Sequence, residues 1–186
     1  MSEKAAKAIR VVTTPPIMAL WMILLLWNRF PAGHAGWAVL FLTILPVLAY
    51  PFQLCVPALK AQGRAGQRRL AVIFSIVGYL AGLCCCAIGH GNHTEYMVYL
   101  CYLCSGLQTA IFTKYLGIKS SGHAAGTVGP LSILALRLSP WFALGYLILI
   151  PVYWSSLKLK RHTLKELLWG TFSTIALALV LNALLP

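Results

Sequence analysis

Apolar residues run along this chain in long blocks separated by short polar segments. A helix that crosses a bilayer needs roughly 20 predominantly apolar residues, and about seven blocks approach that length. They cover 16–29, 36–57, 69–89, 95–115, 122–138, 140–157 and 165–185. The first is short and follows Thr13-Thr14-Pro15-Pro16, so proline falls in its first turn, where a missing N–H costs little. The fifth is also short, and rich in glycine. The pattern predicts an all-α polytopic transmembrane helix bundle of six to seven spans, forming a single integral membrane domain over residues 1–186. No internal repeat, low-complexity tract or linker interrupts it. The widest polar stretch, Lys60 to Arg69, reads as an ordinary cytoplasmic loop.

Composition supports the membrane class. Of 186 residues 60% are hydrophobic and 10% charged, against about 25% charged in a soluble domain. The acids are Glu3, Glu95 and Glu166, with no aspartate. That scarcity argues against two-metal nucleases, calcium sites, aspartic proteases and most glycosidases, all of which need several carboxylates. The net charge of +12 does not point to nucleic acid, because the cations lie in short loops between apolar blocks, where they set topology and attract anionic head groups. All of the 15 cations except Arg29 and Arg137 fall in one set of alternate loops. That skew predicts a cytoplasmic N-terminus and an outside C-terminus. Lys4, Lys7 and Arg10 ahead of the first block give it the outline of a signal peptide, but the signature is loose and suits an uncleaved first span.

Two polar segments carry candidate chemistry. Lys119-Ser120-Ser121-Gly122-His123 opens the fifth block, and Lys158-Leu159-Lys160-Arg161-His162-Thr163-Leu164-Lys165-Glu166 opens the last. Two blocks lie between them, so both face the same side, the cytoplasmic one by the charge skew. In the first segment Ser120 or Ser121 is placed to cap a helix. A helix N-terminus presents free N–H groups to an anion, Gly122 permits close approach of a ligand, and Lys114 and Lys119 add charge. The same residues also suit a plain capped span with interfacial lysines, and Gly122-x-x-x-Gly126 suits close helix packing. In the second segment His162 and Glu166 are four apart and share a helix face. A carboxylate there can fix the imidazole tautomer and raise basicity at the other nitrogen. The plainer alternative is a surface ion pair of Glu166 with Lys165 or Arg161, worth under about 1 kcal/mol. Two histidines, an orienting carboxylate and several cations suffice for metal-free phosphate hydrolysis, which depends on positioning and charge stabilisation.

These residues resemble the type 2 phosphatidic acid phosphatase superfamily of membrane lipid phosphate phosphatases. Members carry a Ser-Gly-His segment at the start of a core helix, matched by Ser121-Gly122-His123. They also carry a Ser-Arg pair, a histidine after a five-residue gap and an aspartate four further on. Ser155-Ser156, His162 and Glu166 follow that spacing, and Gly170 matches the small residue after it. The text is most similar to a divergent bacterial branch reading K-x-S-x-H, here Lys119 to His123, followed by a segment like Leu157 to Thr163. Thr14-Pro15-Pro16 and Arg68-Arg69 are similar too.

The resemblance implies a phosphatase core in the last four spans, within residues 95–186, in a bacterial plasma membrane. It implies hydrolysis of the phosphate or diphosphate of a lipid of the phosphatidic acid or polyprenyl class, without metal or other cofactor. His162 would form a phosphohistidine, His123 would protonate the leaving alcohol and then activate water, and Glu166 would orient His162. Lys119, Ser121 and the Gly122 amide would hold phosphate oxygens, with Lys114, Arg161 and Lys158 adding charge. Partners would be the phosphorylated substrate and membrane lipids, with self-association left open.

The chain departs from the family at three points. The lysine–arginine–proline segment ahead of the first histidine is absent, with Lys114 and Lys119 the nearest substitutes. Glutamate stands for aspartate at Glu166. The family arginine falls on Ser156, and serine cannot supply a bidentate guanidinium clamp; Arg161 offers charge from another angle. This third departure motivates the alternative of a catalytically impaired relative that binds or translocates anionic lipids. A transporter unrelated to phosphate would instead hold His123 and His162 well beyond about 10 Å from each other, too far to share one phosphate.

Other signals are weaker. The six cysteines lie in apolar segments and read as small buried hydrophobes. Cys84-Cys85-Cys86 and Cys101-x-x-Cys104, with His90 and His93 between them, allow a metal or redox site, but no second C-x-x-C pair supports it. Asn92-His93-Thr94 is a glycosylation sequon by pattern. His34 reads as an interfacial side chain, and Trp21, Trp27, Trp37 and Trp154 as interfacial or packing groups.

Overall fold

The computed structural model describes residues 2–115 and 117–185, the Arg64 side chain excepted; Met1, Leu116 and Pro186, which the expected domain includes, lie outside the described residues. Among these the chain is all-helical. Helix α1 is Glu3–Val12 and α2 is Pro15–Leu25. Then come α3 (His34–Cys55), α4 (Gly63–Ile88), α5 (His93–Tyr115), α6 (Gly122–Arg137), α7 (Pro140–Lys158) and α8 (Leu164–Leu184).

Helices α3, α5, α7, α8 and most of α4, from Ala65, are long and apolar enough to cross a membrane. The pair α1–α2 passes the same test jointly but is bent by 48°. The bend follows from Pro15 and Pro16, which lack the N–H groups that would carry α1 onward. Val72, Ile73, Val77 and Leu80 of α4 and Leu144, Leu147 and Ile150 of α7 point outward. An apolar outer surface of this extent suits lipid and not water.

The short, glycine-rich fifth block turns out to be the axis of the bundle. Helix α6 has 16 residues, and Ala124, Thr127, Val128, Gly129, Ile133 and Leu134 are all buried. It packs against α2, α5, α7 and α8. Its small residues let neighbouring backbones come close: a Cβ on Gly126 would lie 2.4 Å from Pro15 Cγ.

Two expectations are corrected. The stretch Lys60 to Arg69 is almost wholly helical. A short turn, Pro57–Lys60, leads into α4, which starts at Gly63. Gln53 staples this corner, its Nε2 donating to the carbonyls of Leu59 (3.1 Å) and Gly63 (2.7 Å). The first apolar block stops being α-helical at Leu25, and Trp27–Arg29 forms a separate 3-10 turn.

Candidate active site

The end of α7 sets the first half of the site. Lys160 takes a left-handed backbone (φ 49°) just past the helix. The Arg161 amide then donates back to the Ser156 carbonyl (3.0 Å), and the Lys160 amide to Leu157 (3.0 Å). This is a Schellman closure with lysine where glycine is usual. It turns the chain sharply, and Thr163 starts α8 by accepting the Glu166 amide on its hydroxyl (3.3 Å). His162 is thereby held in the tight connector beside the first turn of α8. Its Nδ1 lies 2.8 Å from Glu166 Oε2. An ionised carboxylate only accepts, so Nδ1 carries the proton and Nε2 keeps its lone pair.

The start of α6 supplies the second half. Ser121 caps the helix, accepting the Ala124 amide at 3.3 Å, and its own amide donates to the Glu166 carbonyl at 3.0 Å. That backbone bond ties the two sequence segments together. Gly170 makes it sterically feasible, since a Cβ there would sit 2.6 Å from the Ser121 carbonyl oxygen. Lys119 Nζ reaches Glu166 Oε1 at 3.5 Å. Glu166 therefore joins His162, Lys119 and Ser121, in place of the surface pair with Lys165 or Arg161. Ser120 Oγ is buried with no hydrogen-bond partner among the described residues.

A third element enters from the other end of the sequence. Helix α1 lies on α7, and Arg10 donates a guanidinium N–H to Ser156 Oγ at 2.8 Å. Thr13, at the α1–α2 break, has its Oγ1 3.0 Å from His123 Nε2 and donates to the Ile9 carbonyl at 2.8 Å. With its one hydroxyl proton committed to Ile9, Thr13 can only accept from His123, which places a proton on His123 Nε2.

The charges act on one another. Burial holds the pKa of His123 well below the ordinary histidine range, and the charges of Arg10 and His162 push it the same way. Burial holds the pKa of His162 below the ordinary histidine range; the Glu166 hydrogen bond and charge push it up, while Arg10 and Lys119 push it down. The resting nucleophile candidate is thus a neutral imidazole with a free Nε2.

The expected residues separate into groups. His162, Glu166, His123, Lys119 and Ser121 are brought together. Gly122 is exposed, and a Cβ there would meet nothing within 4 Å, so its backbone is open to a ligand. The Ser121 hydroxyl is fully buried and engaged in its cap. Arg161 and Lys158 are exposed on the rim, and the charge of Arg161 reaches Arg10. Lys114 is not gathered into this network: its ammonium lies 5.1 Å from the centre of the Tyr115 ring. Arg10 and Thr13 were missed. The available signal was a lone arginine at the end of an amphipathic helix, which served only as topology charge in the sequence.

Elsewhere, His34 is not a lone interfacial side chain. Its Nδ1 pairs with Glu95 Oε2 at 2.8 Å, and Glu95 is 1% exposed. All six cysteines are free, and among the described residues no three His, Cys, Asp or Glu side chains converge as metal ligands. No protein-family model, curated protein or solved structure matches the chain.

Proposed function

We propose that the protein is a membrane phosphatase that hydrolyses the phosphate or diphosphate of a lipid through a phosphohistidine, without metal. The observation that carries this reading is the convergence on one mouth of a His162–Glu166 pair, a second imidazole with a proton on Nε2, and a guanidinium. The guanidinium comes from Arg10, held on the hydroxyl of the residue that stands where the phosphatases this sequence resembles carry arginine. The core formed by α5 to α8 would then be phosphatase-like, with α1 supplying a part the core lacks.

In this mechanism the lone pair of His162 Nε2 attacks phosphorus and the bond to the leaving oxygen breaks. Glu166 keeps Nδ1 protonated and offsets the positive charge that develops on the ring. Arg10 and Lys119 offset charge on the phosphoryl oxygens. A bound phosphate dianion would offset the burial that disfavours the doubly protonated form of His123, and that form gives a proton to the leaving alcohol. Water then attacks the phosphohistidine, losing a proton to His123, and the P–N bond breaks to free inorganic phosphate and His162. The apolar exterior supports a lipid substrate, whose tail stays in the bilayer while its phosphate meets the cationic rim. The charge skew supports the cytoplasmic face of a bacterial plasma membrane.

The test is phosphate release from phosphatidic acid and polyprenyl diphosphate in detergent, with chelator present. Turnover by the parent and none by His162→Ala is expected. Undiminished turnover in that variant removes the mechanism, and anionic-lipid binding with no release by the parent transfers the site to a lipid carrier.

A further inference from the structure

The opposite end of the bundle holds a separate open cleft of about 590 Å3, lined by Arg29, His90, Asn92, His93 and Arg137 among others. The element order places it there. Arg29 follows α2, His90 to His93 join α4 to α5, and Arg137 ends α6, whereas the candidate active site lies at the other termini of these helices.

Its electrostatics are one-sided. Arg29 and Arg137 are the cations that fall outside the cation-rich loops, and both line this cleft. No carboxylate lines it among the described residues. The nearby acid, Glu95, is buried and bonded to His34. Helix α5, of 23 residues, opens into the cleft with its positive dipole end. Asn92 caps it, accepting the Glu95 amide on Oδ1 at 3.0 Å and donating to the Arg29 carbonyl at 2.6 Å. Arg137 is braced by a bond from Nε to Met97 Sδ (3.0 Å) and another to the Leu185 carbonyl, which fixes its guanidinium at the cleft. A guanidinium has five N–H donors, so these two bonds leave capacity for a ligand. Trp27, Trp37 and Trp141 are exposed at the same end, as side chains at head-group depth are.

We propose that this cleft binds a phosphate-type oxyanion at head-group depth, presented either by an anionic lipid of that leaflet or as free phosphate. Two arginines, a helix N-terminus and, among the described residues, no competing carboxylate in the lining are what such a ligand requires. The proposal does not depend on the phosphatase reading, because no residue is shared between the two sites.

The test uses the full chain with 15N-labelled imidazoles, each of the five histidines assigned by single substitution. In zwitterionic-lipid nanodiscs, inorganic phosphate is expected to move the His90 or His93 signal saturably. Arg29→Gln should raise the midpoint about tenfold, the worth of one lost charge-assisted contact, while Arg29→Lys recovers part of it. Unchanged His34 signals certify that the variants are folded. In phosphatidylglycerol nanodiscs, signals already displaced and no longer moved by phosphate identify the lipid head group as occupant; signals still responsive identify free phosphate. Both results support the site. Signals at His90 and His93 that respond to neither ligand, or equal midpoints in the parent and Arg29→Gln, overturn it, whatever happens at His123 and His162.

Discussion

The Arg10 guanidinium and the Ser156 hydroxyl, 146 positions apart in sequence, are joined by a 2.8 Å hydrogen bond. Ser156 also accepts the Arg161 amide on its carbonyl, so the residue that closes α7 also orients an arginine delivered by α1. The serine that reads in sequence as the loss of a clamp holds an arginine from another helix.

The first prediction follows from that contact. In the phosphatase reading Arg10→Ala removes a preorganised donor aimed at the phosphoryl oxygens, and should lower kcat by about 10²–10³-fold. Arg10→Lys should recover little, because an ammonium lacks the planar fork. Ser156→Arg alone places a second guanidinium in a buried spot facing Arg10 and should also be poor. The double variant Arg10→Ala/Ser156→Arg returns one guanidinium to the same place and should regain much of the rate. Parent-level turnover in Arg10→Ala, in a protein where His162→Ala is dead, leaves Arg10 outside the chemistry.

A second prediction concerns pH. Burial first, then Arg10 and Lys119, hold the pKa of His162 below the usual value, against the upward push of Glu166. In the phosphatase reading the attacking ring must be unprotonated at Nε2, so the acid limb of kcat/KM should lie below about pH 6.5, the unperturbed histidine value. Glu166→Gln removes the upward push and should move the limb further down. Lys119→Met removes a downward push and should move it up. The stability consequence has a fixed sign. Below about pH 6.5 the unfolded chain binds a proton that the folded site resists, so this group's contribution falls as pH drops and is constant above it. Limbs that move together in the two variants refute the assignment of His162 as the titrating group.

Much of the site was legible in sequence because it is local. His162 and Glu166 are related by one helical turn, Thr163 and Ser121 are capping residues at predicted helix starts, and the even number of blocks between the segments put them at one end. Arg10 and Thr13 were not legible, because their contacts to Ser156 and His123 depend on how α1 folds back over α7, which no local pattern encodes. The same holds for Glu95: nothing in its neighbours announces burial or a histidine 61 positions away. The helical Lys60–Arg69 stretch was hidden for a different reason. Its Gln, Arg and Ala residues are good helix formers, but apolar runs report only the part of a helix that lies in lipid.

The third prediction separates packing glycines from an open one. Gly170→Ala brings a methyl to 2.6 Å of the Ser121 carbonyl oxygen, a backbone atom that is itself held by the Ala125 amide of α6 at 3.0 Å. The two segments must move apart, and overpacking of this kind costs about 1–3 kcal/mol. A lower unfolding temperature and a loss of turnover should appear together. Gly122→Ala meets nothing within 4 Å and should leave stability unchanged while raising KM, because only an approaching ligand would meet the methyl. Equal melting temperatures for Gly170→Ala and the parent contradict this packing.

The fourth prediction contrasts two histidine–carboxylate pairs of the same Nδ1–Oε2 length, 2.8 Å. Glu95 is 1% exposed and Glu166 15%. His34→Ala strands a carboxylate in the bundle interior, and breaking a buried pair by removing one partner costs about 3–5 kcal/mol. His162→Ala leaves Glu166, which is 15% exposed, with Lys119 Nζ still 3.5 Å away as a second partner, so the loss should be smaller than at Glu95. Denaturant unfolding in detergent should therefore rank His34→Ala below His162→Ala in stability. In the phosphatase reading activity per folded molecule should rank them the other way, since the His162 ring would carry the bond to phosphorus while His34 sits at the opposite end of the bundle. The double variant Glu95→Gln/His34→Ala, which removes the stranded charge, should recover part of the stability lost in His34→Ala. Failure to recover any of it would mean that the cost comes from lost packing around the imidazole and not from the orphaned carboxylate.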